Sequence, residues 1–135
     1  MYRYSIYDPL IPKVKETGDI KRDQVWKLFE SFPWKEYNDK MENAGDADFY
    51  YSPTLEIENK EKSITIEISL LSMDPEFDFY ISYKRPKSVS KLFGLMKQMD
   101  NKYLSYKNNQ SEQDAHDAVK AFLNNDMKTL EERWG

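Results

Sequence analysis

The feature that most constrains this chain is a two-residue alternation of apolar and polar side chains through its middle third. The apolar positions form three runs of β-branched, aromatic or leucine residues: Leu55, Ile57, Ile64, Ile66, Ile68, Phe77, Phe79, Ile81 and Tyr83. Because successive side chains of a strand point to opposite faces of a sheet, each run predicts a half-buried strand. The polar segments 59–62 and 73–76 are short enough for hairpins, so we predict an antiparallel meander with one apolar and one polar face.

The alternation also suggests which residues pair. Ile57 opposite Ile64 would close the first hairpin, and Ile68 opposite Phe79 would close the second. The doubled leucine at 70–71 breaks the alternation and predicts a bulge or a strand end.

On both sides of the meander the apolar period changes to that of a helix. One apolar stripe begins near Arg22 and ends at Pro33, after which a second short helix is expected. Ser111 is a candidate N-cap for a further helix, and a last short helix follows Asn125. The dipeptide 18–19 predicts a turn, because it combines Gly with Asp.

The segment after Pro86 shows the same helical spacing. Its apolar residues are Val89, Leu92, Phe93, Met96 and Met99. We predict a helix here with Ser88 as its N-cap, although Gly94 costs about 1 kcal/mol relative to alanine inside a helix. Residues 103–106 are a candidate for one more strand.

These elements predict a single α+β domain over residues 1–135. With a first strand over residues 3–7, the sheet is an antiparallel meander of three to five strands, and amphipathic helices from both chain ends pack on one face. The chain is 39% apolar and 15% aromatic, which is enough to form one hydrophobic core in a chain of 135 residues.

Composition excludes several classes of catalytic and metal site. The chain has no cysteine, which excludes disulfides, thiolate zinc sites and cysteine nucleophiles. Its one histidine, His116, falls on the polar side of a predicted helix, and none of the glycine motifs of phosphate or dinucleotide sites is present. We therefore predict a protein that is not an enzyme and holds no cofactor or metal. A metal-dependent hydrolase built on Asp46, Asp48 and Glu58 is the last alternative.

The distribution of apolar residues predicts a cytoplasmic protein without a membrane partner. No apolar run approaches the ~20 residues that cross a bilayer. The N-terminal residues also lack the apolar stretch of a signal peptide.

The net charge of −4 conceals a strong segregation of charge along the chain. Residues 36–78 carry twelve acids against three lysines, whereas residues 84–107 carry seven bases against Asp100. The predicted polar face gathers acidic and tyrosine side chains: Glu56, Glu58, Glu67, Asp78 and Tyr80, with Tyr51 at the border. Such a face predicts docking of a protein partner with a basic surface, since opposite charge speeds encounter and tyrosine is enriched at interfaces. The plainer interpretation is a sheet face that carries charge only for solubility.

The basic segment favours neither nucleic acid nor lipid as a partner. Its lysines are spread over 24 residues and the whole chain is acidic, whereas a phosphate-binding surface is denser in cations. We expect these lysines to pair with acids of the same molecule. Exposed tyrosine-rich strands leave edge-to-edge pairing as a homodimer open.

Two tryptophans are candidate anchors for a partner. Trp26 lies off the apolar stripe of its helix, and Trp34 follows a proline. The alternative is that both seal the edges of the core.

The sequence therefore predicts a small acidic, non-enzymatic protein-binding domain, of the kind represented by immunity or inhibitor proteins. The alternative is a small-ligand-binding domain with an aromatic-lined pocket between sheet and helices. Docking of a basic partner requires that the lysines of 84–107 do not neutralise these carboxylates.

Overall fold

The described residues form six strands and four helices in a computed structural model that covers residues 1–13, 16–44, 52–73, 75–92 and 94–135. The strands are β1 (Tyr2–Tyr7), β2 (Glu16–Ile20), β3 (Thr54–Asn59), β4 (Ile64–Ser72), β5 (Asp78–Lys91) and β6 (Met96–Gln110). The helices are α1 (Arg22–Glu30), α2 (Trp34–Asn43), α3 (Glu112–Leu123) and α4 (Met127–Trp134).

All strands belong to one antiparallel sheet in the order β2-β1-β3-β4-β5-β6. The predicted α+β fold is confirmed, with helices from both chain ends packed on the sheet, but the described sheet has six strands rather than three to five. One additional strand is β2, where a turn was predicted at 18–19. Gly18 pairs with Tyr4, and a Cβ at Gly18 would lie 3.3 Å from the Tyr4 ring, so the glycine serves a close approach of two strands.

The central strands form as the alternation predicts, but their register differs by two residues. Ile57 lies opposite Ile66 rather than Ile64, and Ile68 lies opposite Ile81 rather than Phe79. The connection of the first hairpin moves by one residue, from the predicted 59–62 to 60–63, because strand pairing continues to Asn59 opposite Ile64. A shift of two leaves every side chain on its predicted face. The irregularity at the doubled leucine is confirmed as a register shift between Leu70 and Ser72.

The core lies between one face of the sheet and the helices. Its sheet side chains are almost fully buried, and α3 and α4 contribute Phe122 and Trp134 with no exposed surface. Tyr2 of β1 packs against Phe122, with ring centroids 5.9 Å apart. The predicted N-cap of α3 is confirmed, since the Ser111 hydroxyl accepts a hydrogen bond from the amide of Asp114 at 3.0 Å.

The helix predicted after Pro86 is wrong. β5 continues through this segment to Lys91, and β6 returns from Met96 as its antiparallel partner. Leu92 and Gly94 have φ angles of 51° and 85°, which suit a tight turn and not a helix interior. The glycine that weakened the helix prediction is therefore the residue that favours the turn.

The β5–β6 hairpin extends past the rest of the sheet. The last pair between β4 and β5 joins Thr65 to Lys84, and beyond it β5 pairs only with β6 within the described residues. We call residues 86–101 the arm.

Candidate functional site

Four of the predicted partner-binding residues lie on the polar face of the sheet, which is the face that alternates with the core residues. Glu56 of β3 is directly opposite Glu67 of β4, and Glu58 follows two residues along β3. Tyr80 of β5 lies opposite Ser69 of β4. The strand register thus brings these residues together, as the alternation predicts.

Cations lie among these carboxylates. Arg3 of β1 is opposite Glu58, and Lys84 and Lys102 line the same groove as Glu56 and Glu58. The positive charge of Lys84 also lowers the pKa of Glu56, although other effects outweigh it. Part of the negative charge on the polar face is therefore balanced within the molecule.

Glu56 and Glu67 form a carboxyl pair across β3 and β4. Burial of Glu56, its hydrogen bond with Glu67 and the charge of Glu67 together raise the pKa of Glu56 to about 7. Two carboxylates side by side cannot both ionise without strong repulsion, so one proton is retained into the neutral range. This retained proton lowers the negative charge of the face further.

The remaining two partner-binding candidates are placed differently. Asp78 lies at the start of β5 opposite Ser72, beyond the bulge, and its Oδ1 is buried with no hydrogen bond from any described residue. It borders a cleft with Asn109 and Ser111 at the start of α3. Tyr51 lies outside the described residues.

The two candidate anchors are both half-buried. Trp26 packs at 5.8 Å against Phe29, and its ring meets that of His116 edge-on at 5.9 Å. Trp34 stands at 4.2 Å from Phe32 and meets the Phe79 ring at 5.1 Å. Each tryptophan covers an edge of the core and keeps part of its surface accessible.

Trp34 also lines a cleft where α1, α2, α3 and the start of β5 meet. The cleft has a volume of about 390 Å³, and its aromatic wall includes Phe77, which stacks on Phe79 at 5.7 Å. His116 also lines the cleft, edge-on to Phe29 at 5.1 Å. This cleft is the candidate for the aromatic-lined pocket that the alternative function requires.

The arm is the surface that sequence reasoning missed. Four large apolar side chains on it are more than half exposed, and two more lie on the adjoining part of β6: Leu92, Leu95, Met96 and Met99, then Leu104 and Tyr106. Only three other large apolar side chains among the described residues are comparably exposed. The available signal was the combination of the φ-permissive Gly94 with Val89 and the serines at 88 and 90, which suits a hairpin better than a helix.

A buried arginine anchors the base of this hairpin. Arg85 is 4% exposed, and its guanidinium donates to both carboxylate oxygens of Glu131 in α4, at 2.7 and 3.0 Å. The guanidinium carbon also lies over the rings of Tyr83 and Tyr103, 4.6 and 4.8 Å from their centroids. Lys87 bonds the same carboxylate at 2.8 Å, so Glu131 balances two cations of the basic segment.

The outer edge of β6 has no strand partner among the described residues. β6 is the last strand in the sheet and spans fifteen residues. Its unpaired amide and carbonyl groups offer a template for another extended segment.

Among residues 1–13, 16–44, 52–73, 75–92 and 94–135, no three His, Asp or Glu side chains are grouped to hold a metal ion. Asp46 and Asp48 of the hydrolase alternative lie outside these ranges. None of the helices in the described part of the chain has the length and apolar character that a membrane crossing requires.

Comparison of the chain with protein-family models, with curated proteins and with solved structures gave no match.

Proposed function

We propose that this chain is a non-catalytic protein-binding domain that docks through the arm and the free edge of β6. The observation that carries the proposal is the concentration of exposed apolar side chains. Of nine large exposed apolar residues in the described part of the chain, six lie between positions 92 and 106. Single exposed apolar residues are normal, whereas their concentration in one hairpin favours an interface.

The free edge of β6 supplies the polar half of such an interface. An extended partner segment that adds to β6 would satisfy main-chain groups along the strand, and its side chains would meet the exposed apolar ones. A two-stranded ribbon has little stability of its own, so contacts along the arm would order both partners.

The charge of the hairpin selects the kind of partner segment. Residues 86–107 contain the lysines at 87, 91, 97, 102 and 107, against the single acid Asp100. Lysines on an edge strand oppose pairing with another basic edge. The proposed partner therefore carries acidic side chains among apolar ones, and pairing of two β6 strands as a homodimer is opposed by the same lysines.

Recognition of a basic partner by the polar face is the narrower proposal that the charge segregation predicts. Glu56, Glu58, Glu67 and Tyr80 support it by sharing that face. Arg3 and Lys84 among them reduce its net charge, so we place the principal interface on the arm. An inhibitor or immunity-type protein could use either surface to cover a site on its partner.

The experiment compares capture by the immobilised chain and by two variants. The arm variant is Leu92→Asp with Leu95→Asp, and the matched control is Leu71→Asp, which is 47% exposed but lies outside the arm. A partner retained by the native chain and the control should bind the arm variant at least tenfold more weakly in a titration with the purified partner. Equal affinity of all three proteins would overturn the proposal.

A second pair of variants separates the two surfaces. Glu58→Lys with Glu67→Lys reverses charge on the polar face and leaves the arm intact. If these changes abolish binding while the arm variant binds normally, the partner uses the polar face. Hydrogen exchange gives an independent measure, since partner binding at the arm should slow exchange of the outward-facing β6 amides.

A further inference from the structure

The cleft beside Trp34 combines aromatic walls with an acidic rim. Its aromatic residues come from four different elements, so the cleft is a product of the tertiary fold. The residues that line it include Phe29, Phe32, Trp34, Phe77, Phe79 and His116. Its volume of about 390 Å³ lies within the range of small-ligand sites.

The walls are built on well-packed rings. Phe79 is 1% exposed and forms the floor, with Trp34 edge-on to it at 5.1 Å and Phe77 stacked on it at 5.7 Å. Phe32, 6% exposed, packs against Trp34 with ring centroids 4.2 Å apart and stacks on Tyr37 at 5.3 Å. Trp34 and Phe77 keep part of their surface free, which leaves ring area open to the cleft.

The rim carries more negative than positive charge. Glu30 ends α1, Glu36 lies in the first turn of α2 and Glu112 begins α3, while Lys35 is the one lysine or arginine among the lining residues. The N-termini of α2 and α3 contribute about half a positive charge each, and the C-terminus of α1 contributes about half a negative charge. The rim therefore remains anionic after the helix dipoles are included.

We propose that this cleft binds an organic cation, an alkylammonium or guanidinium group. The faces of tryptophan and phenylalanine attract cations through their ring quadrupoles, and carboxylates at the rim stabilise the same charge. A neutral ligand would use the aromatic walls but not the rim, and an anion would be repelled. The proposal is independent of the arm, because no arm residue lines the cleft.

Two sources could supply such a group, a free amine or a basic side chain of a peptide. The probes are choline with its neutral isostere 3,3-dimethylbutanol, and arginine with its neutral analogue citrulline. A third pair is a short peptide with one arginine and the same peptide with citrulline in its place. Binding is followed by NMR chemical-shift titration, which needs no tryptophan reporter and therefore measures the Trp34 variant as well as the native chain.

We expect the cations to bind with a dissociation constant on the order of 1 mM or tighter, and each neutral analogue at least about tenfold more weakly. Glu36→Gln with Glu112→Gln should weaken cation binding about fivefold and leave the neutral analogues unchanged. Both residues are exposed, so these variants should fold. Trp34→Leu should abolish binding of all probes.

The two peptide probes identify the source of the cation. Tighter binding of the arginine peptide than of free arginine indicates a protein side chain, and the reverse order indicates a free amine. Equal binding of cations and neutral analogues, or cation binding that is unaffected by both the glutamate and the Trp34 variants, would overturn the proposal. Failure here leaves the arm proposal standing, because the two tests use different residues and different probes.

Discussion

The meander and the arm are parts of one sheet, yet the sequence predicts the first and misleads about the second. In the meander, Ile66 and Ile68 of β4 lie opposite Ile57 and Leu55 of β3, and all four are at most 1% exposed. In the arm, Met99 lies opposite Ser88 and Met96 opposite Lys91, so the two methionines are on opposite faces of the ribbon. A core on one side of a strand selects side chains with period two. Where there is no core, apolar residues occur on both faces, and their spacing along the chain does not indicate the secondary structure.

The largest expected difference between the two regions is in the free energy of unfolding. Ile68→Ala truncates a fully buried side chain and should lower the free energy of unfolding by about 3 kcal/mol. The loss combines the transfer free energy of the removed atoms with the cost of the cavity they leave. Met99→Ala removes a side chain that is 56% exposed and should change the free energy of unfolding by at most about 0.5 kcal/mol. Urea denaturation of both variants measures the contrast. A large loss for Met99→Ala would mean that the arm packs against the domain.

Substitutions at the junction between the meander and the arm should have the next largest effect on the free energy of unfolding. Arg85→Met removes the charged hydrogen bonds to Glu131 and should cost about 2 kcal/mol. Lys87→Met, which loses a bond to the same carboxylate at a 40% exposed position, should cost clearly less.

The pH dependence tests the same junction. The bonds from Arg85 and then Lys87 lower the pKa of Glu131, so the stability they confer is present above the ordinary carboxyl range and is lost as the pH falls through the lowered value. The Arg85→Met variant should therefore lose less stability on acidification than the native protein. An equal loss in both proteins would show that the bond between Arg85 and Glu131 does not cause this pH dependence.

The carboxyl pair on the meander should have a smaller effect on stability, and its pH dependence should have the opposite sign. Glu56 has an unperturbed pKa of 4.5 and a pKa of about 7 in the folded protein, so the folded state holds more protons between these values. Its contribution to stability is full below pH 4.5 and is lost as the pH rises toward 7. Glu56→Gln should flatten this part of the profile and raise stability at pH 8 by about 1 kcal/mol. Glu58→Gln on the same strand is the matched control for loss of one negative charge.

The smallest expected effect is that of Gly94→Ala, and its sign distinguishes a hairpin from a helix. In a helix, Gly94→Ala would add about 1 kcal/mol of stability. In the arm, with φ at 85°, the same change strains the turn, although no described atom beyond the adjoining residues lies within 4 Å of the added Cβ. We expect hydrogen exchange of the arm amides to become about fivefold faster, with global stability unchanged within about 0.5 kcal/mol. Slower exchange in the arm would contradict the hairpin.

The candidate sites differ in how far the sequence reveals them. The alternation alone places Glu56, Glu58, Glu67 and Tyr80 on one face, because face assignment needs only the parity of each position. It does not show that Glu56 lies opposite Glu67, since that depends on which residues form the connection of the hairpin, 60–63 in the structure. The cleft beside Trp34 is beyond local reasoning, because Phe29, Phe77 and His116 meet only through the packing of three helices on the sheet.

The sequence by itself determined the fold class, the strands β3 to β5 up to the base of the arm, the helices at both ends and the irregularity at the doubled leucine. It could do so because these elements bury one face, and burial imposes a local period on the side chains. Only the tertiary structure decided the register, the added strand β2, the full length of β6, the cations placed among the carboxylates and the change of 86–99 from helix to hairpin. Each of these depends on contacts between residues distant in sequence, whose free energy outweighs the weak local preferences of the segments involved.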